Sequence, residues 1–251
     1  MNVALTLQHS GPAAPSLYQR SRRAHEAELA TIPWLALLSG EDQALVKPEV
    51  RVVTAEPGDL ICRLGKAPTY WFGLVEGLLK MSNDGSHGPI VTFAGLPPGA
   101  WFGEGTLLKR EPYRYNVEAL RQSAVAGLPI DAFHDLLGRS IAFNRFVLNQ
   151  LNERLGQFIL ARETDRLNDP DSRVARNLAA LFHPVLYPGV GQLLRITQQE
   201  LAYLVGLSRQ RVNEALRSLQ GAQLIQIEYG GLRVLNLEGL RRYPVPPAGS
   251  Q

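Results

Sequence analysis

With 251 residues, 45% of them hydrophobic, and a formal net charge of +3, the chain can form one large domain or two small ones with real cores. No apolar run approaches the ~20 residues of a membrane-spanning helix, and Met1 to Gln8 lacks the basic and long apolar regions of a secretion signal, so a cytoplasmic protein without membrane contact is expected. A single cysteine, Cys62, excludes an internal disulfide and a four-cysteine iron–sulfur cluster and reads as a core residue.

Residues 1–27 mix Pro, Ala, Ser and Gln with Arg20, Arg22 and Arg23 and show no sustained apolar period, which predicts a flexible arm. Its basic triplet is either solvated or a contact for nucleic acid or a partner. From Ile32 the stretch PWLALLSGEDQALV suggests one or two helical turns. Short strand-like runs follow at Arg51 to Ala55, Leu60 to Leu64, Tyr70 to Val75, Leu78 to Ser82 and Ile90 to Phe93, each bounded by turn residues such as Pro57-Gly58, Glu76-Gly77 and Asn83-Asp84-Gly85. Such spacing predicts a sandwich or rolled barrel across 28–142.

Within that region the stretch from Trp101 to Leu120, WFGEGTLLKREPYRYNVEAL, groups a glycine turn, a carboxylate and a guanidinium. A short turn at Gly103 would expose backbone N–H groups that suit an anion, a carboxylate such as Glu104 can accept from a hydroxyl, and a guanidinium such as Arg114 can pair with an anion. Glu104 and Arg114 equally suit a plain structural pair on a turn.

Phe143 to Leu167 reads as a long helix inside a segment spanning 143–168. Leu148, Leu151, Leu155 and Phe158 follow 3-4-3 spacing, with Asn149, Asn152, Glu153 and Arg154 on the other side. A stripe this narrow suits pairing with a second copy, giving a parallel homodimer; packing on the chain's own roll is the alternative. Asn168-Asp169-Pro170-Asp171 ends the helix and marks a boundary and hinge, because Pro170 cannot continue the hydrogen-bond ladder. Ser172 to Phe182 begins a new helix, and Leu193 to Arg195 adds a strand.

Thr197 and Glu200 form a capping box, Leu201, Leu204 and Val205 an apolar stripe, and Gly206 a stop. Ser208 caps a second helix whose Val212, Leu216 and Leu219 face inward, leaving Arg209, Gln210, Asn213, Glu214 and Arg217 outward. That outward face carries the donors and acceptors that base edges in a major groove require. An ordinary helical hairpin with solvated charges has the same pattern. Leu224 to Leu235 alternates around Gly230-Gly231 as a hairpin, Leu237 to Tyr243 suggests a short helix, and residues 244–251 read as a disordered tail. From Ser172 onward the chain holds nine Arg, no Lys and four Glu, a balance of +5 that leaves −2 for the rest, so the basic part is the part with the helix pair.

SRQRVNEALRSL, followed by LI, the Gly-Gly hairpin and LNLEGL, resembles the cyclic AMP receptor protein and fumarate-nitrate regulator (Crp/Fnr) family of bacterial transcription factors. The run EPGDLICRLGKAPTYWFGLVEGLLKM, with Gly58, Gly65 and Gly77 at turns, is similar to the entry strands of that family's cyclic-nucleotide-binding roll. The resemblance implies an α+β chain: a cyclic-nucleotide-binding-like β-roll at 28–142, a dimerisation helix at 143–168 and a winged helix-turn-helix at 169–243. It also implies an effector cassette at Gly103, Glu104, Arg114, Tyr115 and Asn116 for a cyclic nucleotide or another small anionic effector. Two departures stand out. Arg114-Tyr115-Asn116 stands where Arg with Ser or Thr and Ala is usual, and Phe158 and Ile159 stand where hydroxyl side chains meet the purine.

The expected partners are double-stranded DNA and a second copy of the chain, with RNA polymerase a further candidate. Two recognition helices on one two-fold axis would read half-sites about 34 Å apart. Arg209 is the candidate for a bidentate guanine contact, with Gln210 and Asn213 reading neighbouring bases and Glu214 setting a half-site unlike that of the cyclic AMP receptor protein. The amides near Thr197 and Gln198, with Arg211 and Arg217, are expected to hold phosphates, and Gln199 and Ser208 are further candidate DNA-binding residues. The five scattered histidines and the lack of a His-x-x-x-His or Gly-x-Ser-x-Gly string give an enzyme no support. A regulator that takes no ligand and a sensing adaptor whose winged domain contacts protein are the further readings.

Overall fold

The computed structural model describes residues 20–86, 88–164 and 169–243. The expected arm through residue 19, the last residues of the expected dimerisation helix (165–168), His87 and the expected tail (244–251) lie outside them.

The chain opens with β1 (Arg22–Arg23), α1 (Glu26–Leu29), a 3-10 turn at Leu35–Leu37 and α2 (Gly40–Val46). Then come β2 (Arg51–Ala55), β3 (Leu60–Cys62), β4 (Tyr70–Glu76), β5 (Leu79–Ser82), β6 (Thr92–Leu96), β7 (Trp101–Phe102), α3 (Glu104–Lys109), β8 (Asn116–Ala119) and β9 (Ser123–Pro129). These strands form two antiparallel sheets, ordered β1-β2-β9-β4-β7 and β3-β8-β5-β6, whose inner faces enclose Val53, Cys62, Phe72, Leu79, Phe102 and Val117. Cys62 is buried there, and burial pushes its thiol pKa up to about 12, so it packs as a small apolar side chain.

Two expectations change at this level. Residues 20–27, expected to belong to a flexible arm, are instead tied to the roll: Arg22 and Arg23 pair with Val52 and Arg51, and the Arg22 guanidinium makes a bidentate bond to Glu28. The strand expected at Ile90 to Phe93 starts at Thr92, because the Asn83 amide accepts from Val91 N and donates to Pro89 O, tying 89–91 into a turn.

Helices α4 (Ile130–Arg139) and α5 (Ile141–Thr164) follow, broken at Ser140. An aromatic cluster fixes them to the roll: Trp71 lies 4.5 Å from Trp101 and 5.1 Å from Phe133, and Trp34 lies 5.5 Å from Phe143, centroid to centroid. Gly73 on β4 is obligatory here, since a Cβ would overlap the Trp101 ring.

The C-terminal part comprises α6 (Pro170–Ala180), β10 (Leu193–Leu194), α7 (Gln198–Val205), α8 (Arg209–Gly221), β11 (Ile225–Glu228), β12 (Gly231–Val234) and α9 (Leu237–Arg241), with sheet order β10-β12-β11. Pro170 opens α6 rather than only closing the preceding helix: it sits in the first turn, where no N–H is needed, and Asp169 caps it by accepting from Ser172 N at 2.9 Å. The Ser172 bonds hold the Asp169 carboxyl below its usual range. The hairpin turn is Tyr229-Gly230 rather than Gly230-Gly231, with Glu228 paired to Gly231. Gly230 takes φ +76°, whereas Gly231 is needed in the strand because a Cβ would lie 2.5 Å from Leu194 O.

Candidate nucleic-acid interface and effector region

Local rules build the helix pair. Thr197 Oγ1 accepts from Glu200 N at 3.1 Å and Glu200 Oε2 accepts from Thr197 N at 2.7 Å, a complete capping box on α7. Gly206 ends α7 in the left-handed region, and Ser208 Oγ accepts from Arg211 N to open α8. Leu201, Leu204, Val205, Val212, Ala215, Leu216 and Leu219 are buried in one core with the wing strands. Replacing Thr197 with Ala removes one partner of the reciprocal pair and is expected to lower stability by about 1 kcal/mol, read from a urea midpoint.

That packing turns the other face of α8 to solvent. Ser208, Arg209, Gln210, Glu214 and Arg217 are exposed, while Arg211 and Asn213 are half-buried. Among the described residues Arg209 and Arg217 have no hydrogen-bond or ion-pair partner, so their guanidinium donors are unspent. The others are engaged. Gln210 donates to Glu214 at 3.2 Å, Gln198 donates to Asn213 at 3.1 Å, and Arg211 pairs with Asp171 at 2.5 Å. Gln199 is exposed on α7. The wing tip adds a residue that the sequence pattern does not single out: Tyr229, fully exposed at the turn.

The effector region departs further from expectation. Gly103 caps α3 in the left-handed conformation, and Glu104 beside it is 2% exposed. Arg114 is not its partner: it lies out on the surface, paired with Glu111 at 3.0 Å. Glu104 instead accepts from Arg154 of α5 at 3.0 Å, and Arg154 also donates to Trp101 O at 2.7 Å. Arg154 therefore belongs to the buried face of α5, not the polar side assigned to it from spacing. Phe143, Val147, Gln150 and Arg154 share that face at helical period, a phase in which charge conceals burial. Burial disfavours the Arg154 cation, but the Glu104 carboxylate outweighs it and raises the pKa. Glu104 Oε2 and Arg154 Nη1 are buried without a partner among the described residues. Asn116 is consumed structurally, accepting from Leu64 N at 2.8 Å, and Tyr115 packs against the roll core, where burial raises its phenol pKa.

The stripe on α5 splits. Leu148 and Leu155 are 64% and 60% exposed, so they do not pack on the roll, and Ile141 and Ile159 extend their line. Leu151 and Phe158 turn inward onto the roll instead, because the 3-4-3 spacing drifts across both faces of a straight helix.

The segment 183–190 joins α6 to the winged sheet and packs on the roll. Leu186 and Tyr187 are fully buried in the roll's interior cluster, Tyr187 Oη donates to Gln157 Oε1 at 3.1 Å, and Gln150 donates to Val185 O at 3.0 Å. His183 sits 3.2 Å from Glu153. Burial lowers the His183 pKa, with Glu153 opposing and Arg241 and Arg154 adding to the drop. The docked imidazole therefore binds a proton less readily than a released one, so this contact is strongest above the ordinary histidine value and weakens as pH falls below it. Amide exchange across 183–190 is expected to be faster at pH 5.5 than at 7.5 once the intrinsic pH dependence is removed.

Further contacts join the roll to α7. Thr92 Oγ1 donates to Tyr203 O at 3.0 Å, Gly95 lies beneath Leu204, and Arg121 donates to Arg195 O at 2.6 Å while its Nε stands 3.5 Å from Glu200. A cleft of about 360 Å³ beside Arg121 runs between Pro97-Pro98 and Gly189 to Arg195.

A roll with a long helix, followed by a capped helix pair and a wing, defines a sensor-linked DNA-binding regulator. Comparison agrees in both halves: residues 52–140 match the cyclic nucleotide-binding domain, and 172–243 match the Crp-like helix-turn-helix domain. The transcriptional regulator LdrP of Thermus thermophilus is 29% identical over 68% of this chain and 85% of its own. A Crp/Fnr-family regulator of known structure, also from Thermus thermophilus, is 26% identical with a TM-score of 0.51, covering 76% of this chain and 96% of that one. FixK2 from Bradyrhizobium japonicum, at 15% identity, shares the fold with a TM-score of 0.62 over 77% of this chain and 96% of its own. The chain belongs to the Crp/Fnr family of transcriptional regulators.

Proposed function

We propose that the protein is a homodimeric transcription factor that lays α8 of each copy into the major groove of an imperfect palindrome, with the state of the roll biasing the pose of the two helices. The observation that carries this is the solvent face of α8, where Arg209 and Arg217, without a partner among the described residues, stand over an apolar underside. Arg209 reads guanine, Gln210 and Asn213 read neighbouring bases, and Glu214 accepts from cytosine. Thr197, Gln198, Gln199 and Ser208, with Arg217, lie where phosphates pass, and Arg211 joins them when it leaves Asp171. The exposed line Ile141, Leu148, Leu155 and Ile159 supports pairing of two α5 helices.

For the roll, Glu104 and Arg154 are the polar groups that a small anionic or cyclic nucleotide effector would meet, and Phe158 offers it no hydroxyl. RNA polymerase is the partner an activator of this class would recruit. Selection from random duplex followed by gel shifts at stepped salt tests the reading. A DNA reader loses affinity steeply with salt, whereas a protein-contacting adaptor shows almost no slope. Native mass spectrometry tests the assembly in parallel: two 27.7 kDa chains are expected, and a monomer at micromolar concentration overturns the dimer.

A further inference from the structure

We propose that residues 183–190 are an intramolecular plug that holds the winged part against the roll by occupying the space where the roll would receive an effector. This rests on the effector reading given above. Leu186 and Tyr187 are supplied by the C-terminal half of the chain, yet they are among the most buried residues of the roll, clustered with Phe102, Tyr113 and Val117. Tyr115 and Phe158, the side chains expected to border an effector, pack against the same cluster. Tyr187 bonds Gln157, one turn beyond the Arg154 that holds Glu104. An apolar and phenolic occupant of that position excludes a purine or sugar on volume alone.

The seat is tight on both sides. Gly189 approaches the Pro98-Gly99 backbone so closely that a Cβ on Gly189 would lie 2.7 Å from Pro98 O. Gly99 in turn takes φ +86° and would meet Gly189 N at 2.6 Å if it carried a Cβ. Two glycines thus allow backbone to lie on backbone, which a mere surface loop does not require. The segment leads directly into β10 and α7, so withdrawing it moves the base of the helix pair. Entry of an effector and release of the winged part are then one event, and the plugged form is the one with weaker DNA affinity.

Gly189→Ala tests the plug without touching the roll's polar groups or the face of α8. The whole chain is followed by amide exchange and by binding to a duplex selected with the wild type. The plug predicts exchange across residues 185–190 at least about tenfold faster, unchanged protection in α7 and α8, and DNA affinity raised on the order of tenfold, since a plugged fraction of nine-tenths would mask that much binding. Tyr187→Phe, which keeps the shape and deletes only the bond to Gln157, moves both readouts the same way by less. Unchanged exchange in Gly189→Ala overturns the docking. Faster exchange with equal or weaker DNA binding, α8 still protected, overturns the coupling. A wild type that binds no duplex at all refutes DNA reading instead, and the exchange difference then decides the docking alone.

Discussion

Arg209→Ala is expected to lower affinity for the selected duplex by about 1–3 kcal/mol, on the order of 5- to 150-fold, while non-specific binding falls only slightly. The reason is the placement of the side chain. It is the first residue after the Ser208 cap, exposed at the start of α8, and among the described residues no carboxylate occupies its guanidinium. A bidentate contact to one base pair is made only on the matching sequence, so only the specific complex loses it. A gel shift against selected and scrambled duplexes at fixed salt separates the two. Equal losses on both would reduce Arg209 to a phosphate contact, which changes the salt slope by about one unit and leaves specificity intact.

The second large effect lies in the roll. Glu104→Leu leaves the buried Arg154 cation without its carboxylate, and Arg154→Leu does the converse; each is expected to cost about 3–5 kcal/mol in urea unfolding. The double substitution, with both charges removed, is expected to recover most of that loss, because the pair is as costly to bury as it is attractive once made. A double variant that lost the sum of the two single losses would mean that the two residues act independently. An effector that binds at this pair would add a further sign: it would stabilise the wild type and have no effect on the double variant.

The parts of this molecule that obey local rules were legible in the chain. Thr197, Glu200, Gly206 and Ser208 specify caps and a stop by their own chemistry, so the helix pair and its inward Val212, Leu216 and Leu219 follow from spacing alone. The strands of the roll follow from short apolar runs between turn residues. Long-range placements were not legible. Nothing near Arg154 announces that it faces Glu104, because a charged residue in phase with Phe143 and Val147 looks like a solvated position until the roll covers it. Arg114 sits at the expected distance in sequence from Glu104, yet its side chain leaves the site for Glu111. Tyr187 lies in a Pro- and Gly-containing loop whose composition says surface, and only the fold brings it beneath the roll. The turn at Tyr229-Gly230 was displaced by one residue from the Gly-Gly pair because the strand itself needs a glycine against Leu194.

The most direct test of the central claim is a hydroxyl-radical footprint of the intact protein on the duplex it selects. A pair of α8 helices on one two-fold axis predicts two symmetric protected half-sites with centres about 34 Å, or roughly 10 base pairs, apart. A single unsymmetrical patch, or protection without any preferred register, would contradict it.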